Sequence, residues 1–485
     1  MDLPFDAAEL DRIGRAAAEE AWKGGMTVLR PDGVVVPIPL VAEPEPLSAE
    51  ELGWLAAEAR AILSGAVKLA RALLAQGDDR DREALLGPFQ GLEAEAMARL
   101  FDEAPVPAVL ARVDFLRPAV PAPLVPDDGP SASSVPDDAP AASASAASAA
   151  SVPDDGPSAR AEPRALELNA TIPAMPAYAD LAAHSWLRAA ARERGLPPRV
   201  ADDLVAACGS NMEDFRATLQ AYYELRGGTR ARPSIAVVAR PGDAQIGELR
   251  RLAAHFRQMG HEARNLVPDD CEPEEWDFLY RHVWAHRTKP ESPFARALRA
   301  PGKFVLANPV NGLLEAKALF ARLSECAEDA GLAALAGLDE AEVAAARRLP
   351  WTRRLDAALV PRLLEHREGF VLKRSWDYGG KSVHLGAEME APAWRRAVEA
   401  AAGDTRGGGF VAQERIFAGR KPATRVAPEG VTRVELVRDV STYAGLGPVS
   451  PRGSVVRAAA SPIVNILGGG GLAPVIPAEV LARLA

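Results

Sequence analysis

Residues 119–163 contain almost nothing but Pro, Ala, Ser, Gly and Asp, and Val-Pro-Asp-Asp recurs at Val125, Val135 and Val152. Such a segment cannot bury enough apolar surface to offset the entropy of ordering it, so disorder is expected there. The constraint on the fold is severe. Every core must come from the flanking segments, and any element formed across this stretch must treat it as a loop. That is tolerable, because the cost of closing a loop grows only logarithmically with its length.

The flanks are rich enough to build cores. Of the 485 residues, 48% are apolar, and the length suggests about three domains. The net charge of −10 speaks against a general binder of nucleic acid or anionic membrane, since either partner would repel it. No stretch approaches the roughly 18 apolar residues that a spanning helix needs, and the first residues lack a basic segment followed by an apolar one. Cys208, Cys271 and Cys326 form no C-x-x-C or Cys/His cluster, so neither a disulfide framework nor a zinc site is indicated. A cytoplasmic location is expected.

Before the low-complexity stretch, the pattern predicts a hairpin (Met26 to Arg30, a turn at Pro31-Asp32-Gly33, Val34 to Leu40) and two helical stretches, about 48–76 and 81–101. After it, a helix-rich region runs to about Gly227. From Ser234 the pattern becomes strand, helix, strand: Ile235 to Val238, a helix through Met259, then strands near 263–267 and 278–283. That βαβ order implies a small Rossmann-like layer. The remainder alternates short strands with helices and glycine-rich turns. The expected class is α/β (α+β), divided at 1–118, 119–163, 164–230, 231–300 and 301–485.

Two fragments flank the low-complexity stretch: Arg112-Val113-Asp114-Phe115 before it and Glu167-Leu168-Asn169 after it. If the stretch is an enlarged hairpin loop, two short strands become neighbours. Side chains alternate along a strand, so Arg112 and Asp114 share one face, as do Glu167 and Asn169. Hard oxygen ligands of this kind suit Mg²⁺ carried on nucleotide phosphates, with an Arg beside them for a phosphate or oxyanion. An exposed hairpin with alternating polar residues fits the same pattern.

Further on, Phe370-Val371-Leu372-Lys373 precedes Tyr378-Gly379-Gly380-Lys381-Ser382-Val383. An apolar strand ending in Lys, then a glycine-rich turn, can place an ammonium and backbone N–H groups around phosphates. It is no Walker A loop, which needs Gly where Ser375 stands and a helix where Val383-His384-Leu385 looks extended. The run Asn308-Pro309 through Lys317 leads into a helix. Phe410 to Ile416 reads as a strand passing into a hinge, where Gln413, Glu414, Arg415 and Ile416 could meet an adenine edge and ribose hydroxyls. Near the end come Arg457, Asn465 and four glycines from Gly468 to Gly471, which suit either close approach to a ligand or an ordinary turn.

Together these fragments resemble the ATP-grasp superfamily, and their order resembles its circularly permuted branch, which includes glutathionylspermidine-synthase-like and peptide-ligase-like proteins. In unpermuted relatives such as D-alanine:D-alanine ligase, a stretch like Arg112 to Phe115 followed by one like Glu167 to Pro173 closes the domain; here it precedes the lysine strands. Gly25-Met26-Thr27-Val28 and the helices after Ser48 look like the family's opening, and Arg457 with Asn465-Ile466-Leu467 like its close. The resemblance leaves out the low-complexity stretch and residues 179–227. It implies Lys317 and Lys373 on ATP phosphates, with Gly379, Gly380, Lys381 and Ser382 as the loop over them. Gln413 to Ile416 would be the adenine hinge. Asp114, Glu167 and Asn169 would hold Mg²⁺, and Arg112 and Arg457 would sit near the reacting phosphoryl group. The implied reaction joins a small-molecule or peptide carboxylate to an amine or similar nucleophile through an acyl phosphate, which needs positioning and charge neutralisation rather than a nucleophilic side chain. A nucleotide-binding scaffold without catalysis and a phosphotransferase are the alternatives.

Overall fold

The computed structural model describes residues 3–119, 162–377 and 379–485. The disorder expected over residues 119–163 lies, apart from the edges, outside the described residues, and so does Tyr378.

The largest sheet has seven strands, in the order Arg420–Ala427, Leu40–Val41, Gly471–Ala473, Ser454–Ala459, Gly430–Ala444, Ala111–Leu116, Arg164–Asn169. Gly430–Ala444 is long enough to serve twice. Its first half pairs with Arg420–Ala427 and its second half lies between Ser454–Ala459 and Ala111–Leu116, which curls the sheet partly back on itself. Every residue of Ala111–Leu116 is buried. Helix Ala49–Gln76 packs on these inner strands. Leu55, Ala59, Ile62, Leu63 and Ala66 recur at helical spacing on its buried face, and a Ser48/Glu51 capping box starts it.

A second sheet is wholly parallel, ordered Leu306–Ala307, Phe278–His282, Ile235–Ala239, Ala263–Leu266, with helix Ile246–Gln258 as the crossover after Ile235–Ala239. This is the Rossmann-like layer expected from the βαβ pattern. A third sheet is antiparallel, ordered Thr352–Arg354, Phe410–Glu414, Phe370–Arg374, Val383–Leu385. It has its own core, in which Phe370, Leu372, Phe410 and Ala412 meet Trp394 and Val398 of helix Ala391–Ala402. Helices Pro176–Glu193, Pro198–Cys208 and Asn211–Leu225 fill the helix-rich region, the first packing on helix Ala7–Lys23. Among the described residues the architecture is a mixed α/β fold with several sheets.

Two local expectations change. Residues 81–101 form no continuous helix but Asp79–Leu86, Gly91–Met97 and Leu100–Glu103. Gly87-Pro88 interrupts the first of these, since proline has no N–H and disfavours helix in the residue before it. The early hairpin is short, Thr27–Leu29 against Val35–Pro37, because Leu40–Val41 leaves it to pair with Arg420–Ala427 and Gly471–Ala473. All three cysteines are free thiols. Among the described residues no helix is long and apolar enough to cross a membrane.

Candidate functional site

A cavity of about 340 Å³ lies between the antiparallel sheet and the open end of the seven-stranded sheet. That is within the range of roughly 300–1,000 Å³ usual for small-molecule sites. It is lined by Arg112, Asp114, Glu167, Asn169, Lys317, Lys373, Gly379, Gly380, Lys381, Ser382, Gln413, Glu414, Arg415, Ile416 and Arg457. Every residue to which the resemblance assigns a role at nucleotide, metal or phosphoryl group therefore lines one space. Asn465 lines it too, whereas Gly468 to Gly471 do not.

The two flanking fragments do pair. Ala111–Leu116 runs antiparallel to Arg164–Asn169, with Arg112 opposite Asn169 and Asp114 opposite Glu167. Beyond Asp114 the register slips, so that Phe115 faces Ala165 and Leu166 is left as an extra residue. A β-bulge frees the carbonyl of its extra residue from the ladder. Here the Leu166 carbonyl accepts from Lys373 Nζ at 3.3 Å and Gln413 Nε2 at 3.4 Å, which ties the two sheets together across the cavity floor.

Asp114 anchors a buried charge chain. Arg112 donates from Nε to Oδ1 at 2.7 Å and from Nη2 to Oδ2 at 3.0 Å. Arg457 Nη2 reaches Oδ2 at 2.7 Å, and Asn169 Nδ2 at 3.3 Å. The same Arg457 Nη2 lies 2.5 Å from Asp439 Oδ2. Two acids and two guanidiniums thus alternate. Burial would raise the Asp114 pKa, but Arg112 and Arg457 outweigh it and hold the carboxylate well below the ordinary range.

The two lysines arrive differently. Strand Phe370–Arg374 turns Phe370 and Leu372 into the small core and Val371 and Lys373 toward the cavity, as a period of two requires. Burial pulls the Lys373 pKa down to about 8; Glu167 favours the charge and Lys317 opposes it. Lys317 opens helix Lys317–Glu325, fixed at its start by Lys317 N–H on the Ser375 carbonyl (2.9 Å) and Ala318 N–H on Ser375 Oγ (3.0 Å). Its ammonium donates to the Asp377 carbonyl at 3.0 Å and lies 3.8 Å from Glu167 Oε2. The glycine-rich turn begins at that same Asp377, whose carboxylate accepts from Ser382 Oγ at 2.5 Å. Gly379 and Gly380 have φ of +71° and +73°, a conformation that favours glycine, and Gly380 passes so near Ile463 that a Cβ would lie 2.9 Å from its Cγ2. Asn465 Nδ2 donates to the Gly379 carbonyl at 3.0 Å, closing that side.

At the hinge, the Glu414 carboxylate accepts from Arg164 Nη1 (3.1 Å) and Nη2 (2.9 Å) and from the Trp351 N–H (3.1 Å). The Glu414 N–H donates to the Trp351 carbonyl and the Arg415 N–H to that of Gly369. Arg415 also pairs with Glu388 at 2.8 Å. Ile416 packs with Leu116 and Val437, with Leu166 and Val464 beside them, so this end of the cavity has apolar walls suited to a flat ring.

Asp439, Asp377 and the wall residues Leu116, Leu166, Val437 and Val464 carry no motif and were missed in the sequence. Asp439 stands in Leu436-Val437-Arg438-Asp439-Val440, where an acid beside an Arg reads as an ordinary charged pair, and its meaning depends on which strand lies opposite. As for Mg²⁺, two hard oxygens fit it. The Glu167 side chain is 35% exposed and lies 3.8 Å from Lys317. Asn169 gives its amide nitrogen to Asp114, which turns its carbonyl oxygen the other way. Both oxygens of Asp114 are spent on guanidiniums. Among the described residues no group of three or more His, Cys, Asp or Glu side chains is arranged to hold a metal.

No family model matches the sequence, and no curated protein sequence does. Among solved structures, a glutathione synthetase-like effector from Globodera pallida in its apo form superposes with a TM-score of 0.58 at 11% identity, covering 98% of this chain and 100% of that one. The chain shares that protein's fold. A putative gamma-glutamylcysteine synthetase from Methylobacillus flagellatus gives a TM-score of 0.35 at 12% identity, covering 82% of this chain and 95% of that one, too low a score to bear on the fold.

Proposed function

We propose that this chain is an ATP- and Mg²⁺-dependent ligase with a circularly permuted ATP-grasp fold, joining a carboxylate to an amine or similar nucleophile through an acyl phosphate. The observation that carries the reading is Lys373. It is a buried ammonium, 9% exposed, turned into a cavity and hydrogen-bonded to a carbonyl. Such a charge is held at a cost that a phosphate would offset. Sharing a fold with a glutathione synthetase-like protein agrees with a ligase, although fold by itself does not set chemistry and the site must.

In this reading the apolar end takes the adenine ring, with Ile416 offering the next hinge N–H after two already used. Lys317 and Lys373 hold the phosphates, and the Gly379–Ser382 turn covers them with backbone N–H groups. Glu167 and Asn169 would supply oxygens to Mg²⁺, and Asp114 would be the third oxygen ligand at hand, beside Asn169. When bound, Mg²⁺ neutralises charge that develops on the transferring group. Arg112 and Arg457 orient the acceptor carboxylate and the phosphoryl oxygens. The acid attacks phosphorus, ADP leaves, and the amine then displaces phosphate from the acyl carbon.

The test is a screen of the full chain with ATP, Mg²⁺ and pooled amino acids, peptides and polyamines, reading ADP and phosphate. ADP release that needs both an acid and a nucleophile, and a hydroxamate when hydroxylamine replaces the amine, is the expected result. A stable phosphorylated product without a nucleophile would mark a phosphotransferase. Nucleotide binding with no ADP release under any pairing would mark a scaffold.

A further inference from the structure

Asp439 lies on strand Gly430–Ala444 directly opposite Arg457 and is 3% exposed. Its carboxylate takes three donors from that one residue: the backbone N–H and Nε on Oδ1, each at 3.2 Å, and Nη2 on Oδ2 at 2.5 Å. Arg457 holds Asp114 by Nη2 alone, at 2.7 Å. Asp114, for its part, has Arg112 on both oxygens. The bonds are unequal, and the inequality has a direction. Arg457 can release Asp114 and keep its place, while Asp114 can release Arg457 and keep a counter-charge. Burial raises the Asp439 pKa and Asp114 adds to this, while the Arg457 charge and hydrogen bond, and less strongly Arg112, oppose it.

We propose that Asp439 is a positioning residue: it holds Arg457 in place through Nε and Nη2, so that, with or without the contact to Asp114, the guanidinium remains aimed at the anionic group that is transferred from the bound nucleotide. The identity of that anion rests on the nucleotide reading above; the hold on Arg457 rests on geometry alone. A residue of this kind acts on turnover rather than on nucleotide affinity, because the group it places meets charge that develops during transfer.

The test uses Asp439→Asn, Arg457→Met and the double variant in the full chain, assayed with an acid and amine pair that gives turnover. Asp439→Asn is expected to lower kcat about ten- to a hundredfold with the KM for ATP within about threefold. That loss should vanish in the Arg457→Met background, since a group acting through another adds nothing once the other is gone. Additive losses, or parental kcat in Asp439→Asn, overturn the proposal. Should Asp439→Asn fail to fold, Asp439→Glu keeps the charge and displaces it by one methylene. A kcat loss that disappears with Arg457→Met then supports the proposal, and parental kcat overturns it. A ligand-free arm separates this from the nucleotide reading. The Arg457 Nε–H, donated to a buried carboxylate, should give a slowly exchanging ¹⁵N-arginine signal that Asp439→Asn or Asp439→Glu weakens. Persistence of the parental signal defeats the positioning role even where ATP is never turned over.

Discussion

Lys373 donates its ammonium to the carbonyl of Leu166, 207 positions earlier in the chain, at 3.3 Å. The contact exists because Leu166 is the extra residue of a bulge, so its carbonyl is not consumed by the ladder between Ala111–Leu116 and Arg164–Asn169. It joins the strand that carries Glu167 to the strand that carries the cavity's buried lysine. One anion placed at Lys373 would therefore be read by both sheets.

Replacing that lysine is the most direct check. Lys373→Ala should weaken ATP binding about ten- to a hundredfold, the worth of a charge-assisted contact of roughly 1.5–3 kcal/mol. The pKa adds a second signature. With the free ammonium at about 8 and its charged form favoured by phosphate, binding at pH 8.5 should take up a proton in the parent and none at this site in Lys373→Ala. Titration calorimetry in two buffers of different ionisation enthalpy measures this; equal proton uptake in both proteins would rule Lys373 out as the phosphate contact.

Glu167 separates metal from nucleotide. Glu167→Gln should bind ATP without metal about as well as the parent but lose most of the affinity that Mg²⁺ adds, because an amide is the weaker ligand for a hard cation. Turnover should drop further. Asp114→Asn combined with Glu167→Gln should lose less than the two single effects summed, since both act on one ion. Unaltered Mg²⁺ dependence in Glu167→Gln would place the metal elsewhere.

What the sequence revealed and what it hid follow from periodicity. Alternation alone puts Lys373 on the face away from Leu372 and aligns Glu167 with Asn169, so the candidate side chains were legible once two strands were granted. The βαβ order likewise predicted the parallel sheet. Leu166 was not legible, because one extra residue in a strand leaves no compositional trace. Nor were the contacts of Asp114 with Arg457, 343 positions away, or of Asp439 with Arg457, because register between distant strands is set by the whole sheet. Glu414 illustrates the same limit: its place at the hinge was visible, and its engagement by Arg164 was not.

That engagement has a stability consequence. Arg164 holds both oxygens of Glu414 and also donates to the carbonyls of Arg348 and Leu349. Its side chain is 19% exposed and that of Glu414 10%. Arg164→Ala strands a mostly buried carboxylate, so a loss of about 2–4 kcal/mol is expected in denaturant unfolding. Arg164→Ala with Glu414→Gln should recover part of it. Equal losses in the single and double variants would show that the stability comes from the carbonyl contacts instead.

Glu248 offers a test of the interior by pH. It lies in the first turn of helix Ile246–Gln258, 1% exposed, where it accepts from the Ala177 N–H at 3.2 Å. Burial raises its pKa to about 8, against the pull of the Met175 and Ala177 N–H groups and of Arg112. The folded protein therefore keeps a proton that the unfolded chain releases near the ordinary value of 4.5. The contribution is fully present below that value, declines as pH rises from about 4.5 to 8, and is gone above 8. Glu315, raised to about 7 by burial, acts in the same sense over a narrower window. Glu248→Gln, which cannot ionise, should flatten the fall in stability between pH 4.5 and 8 and leave the part due to Glu315. At about 1.4 kcal/mol per pH unit, the change is large enough to read from urea midpoints at pH 5, 6.5 and 8.5. The variant should gain on the parent steadily across that series; a parallel pair of stability curves would mean that Glu248 is ionised in the folded protein and that the N–H donors of Met175 and Ala177 outweigh its burial.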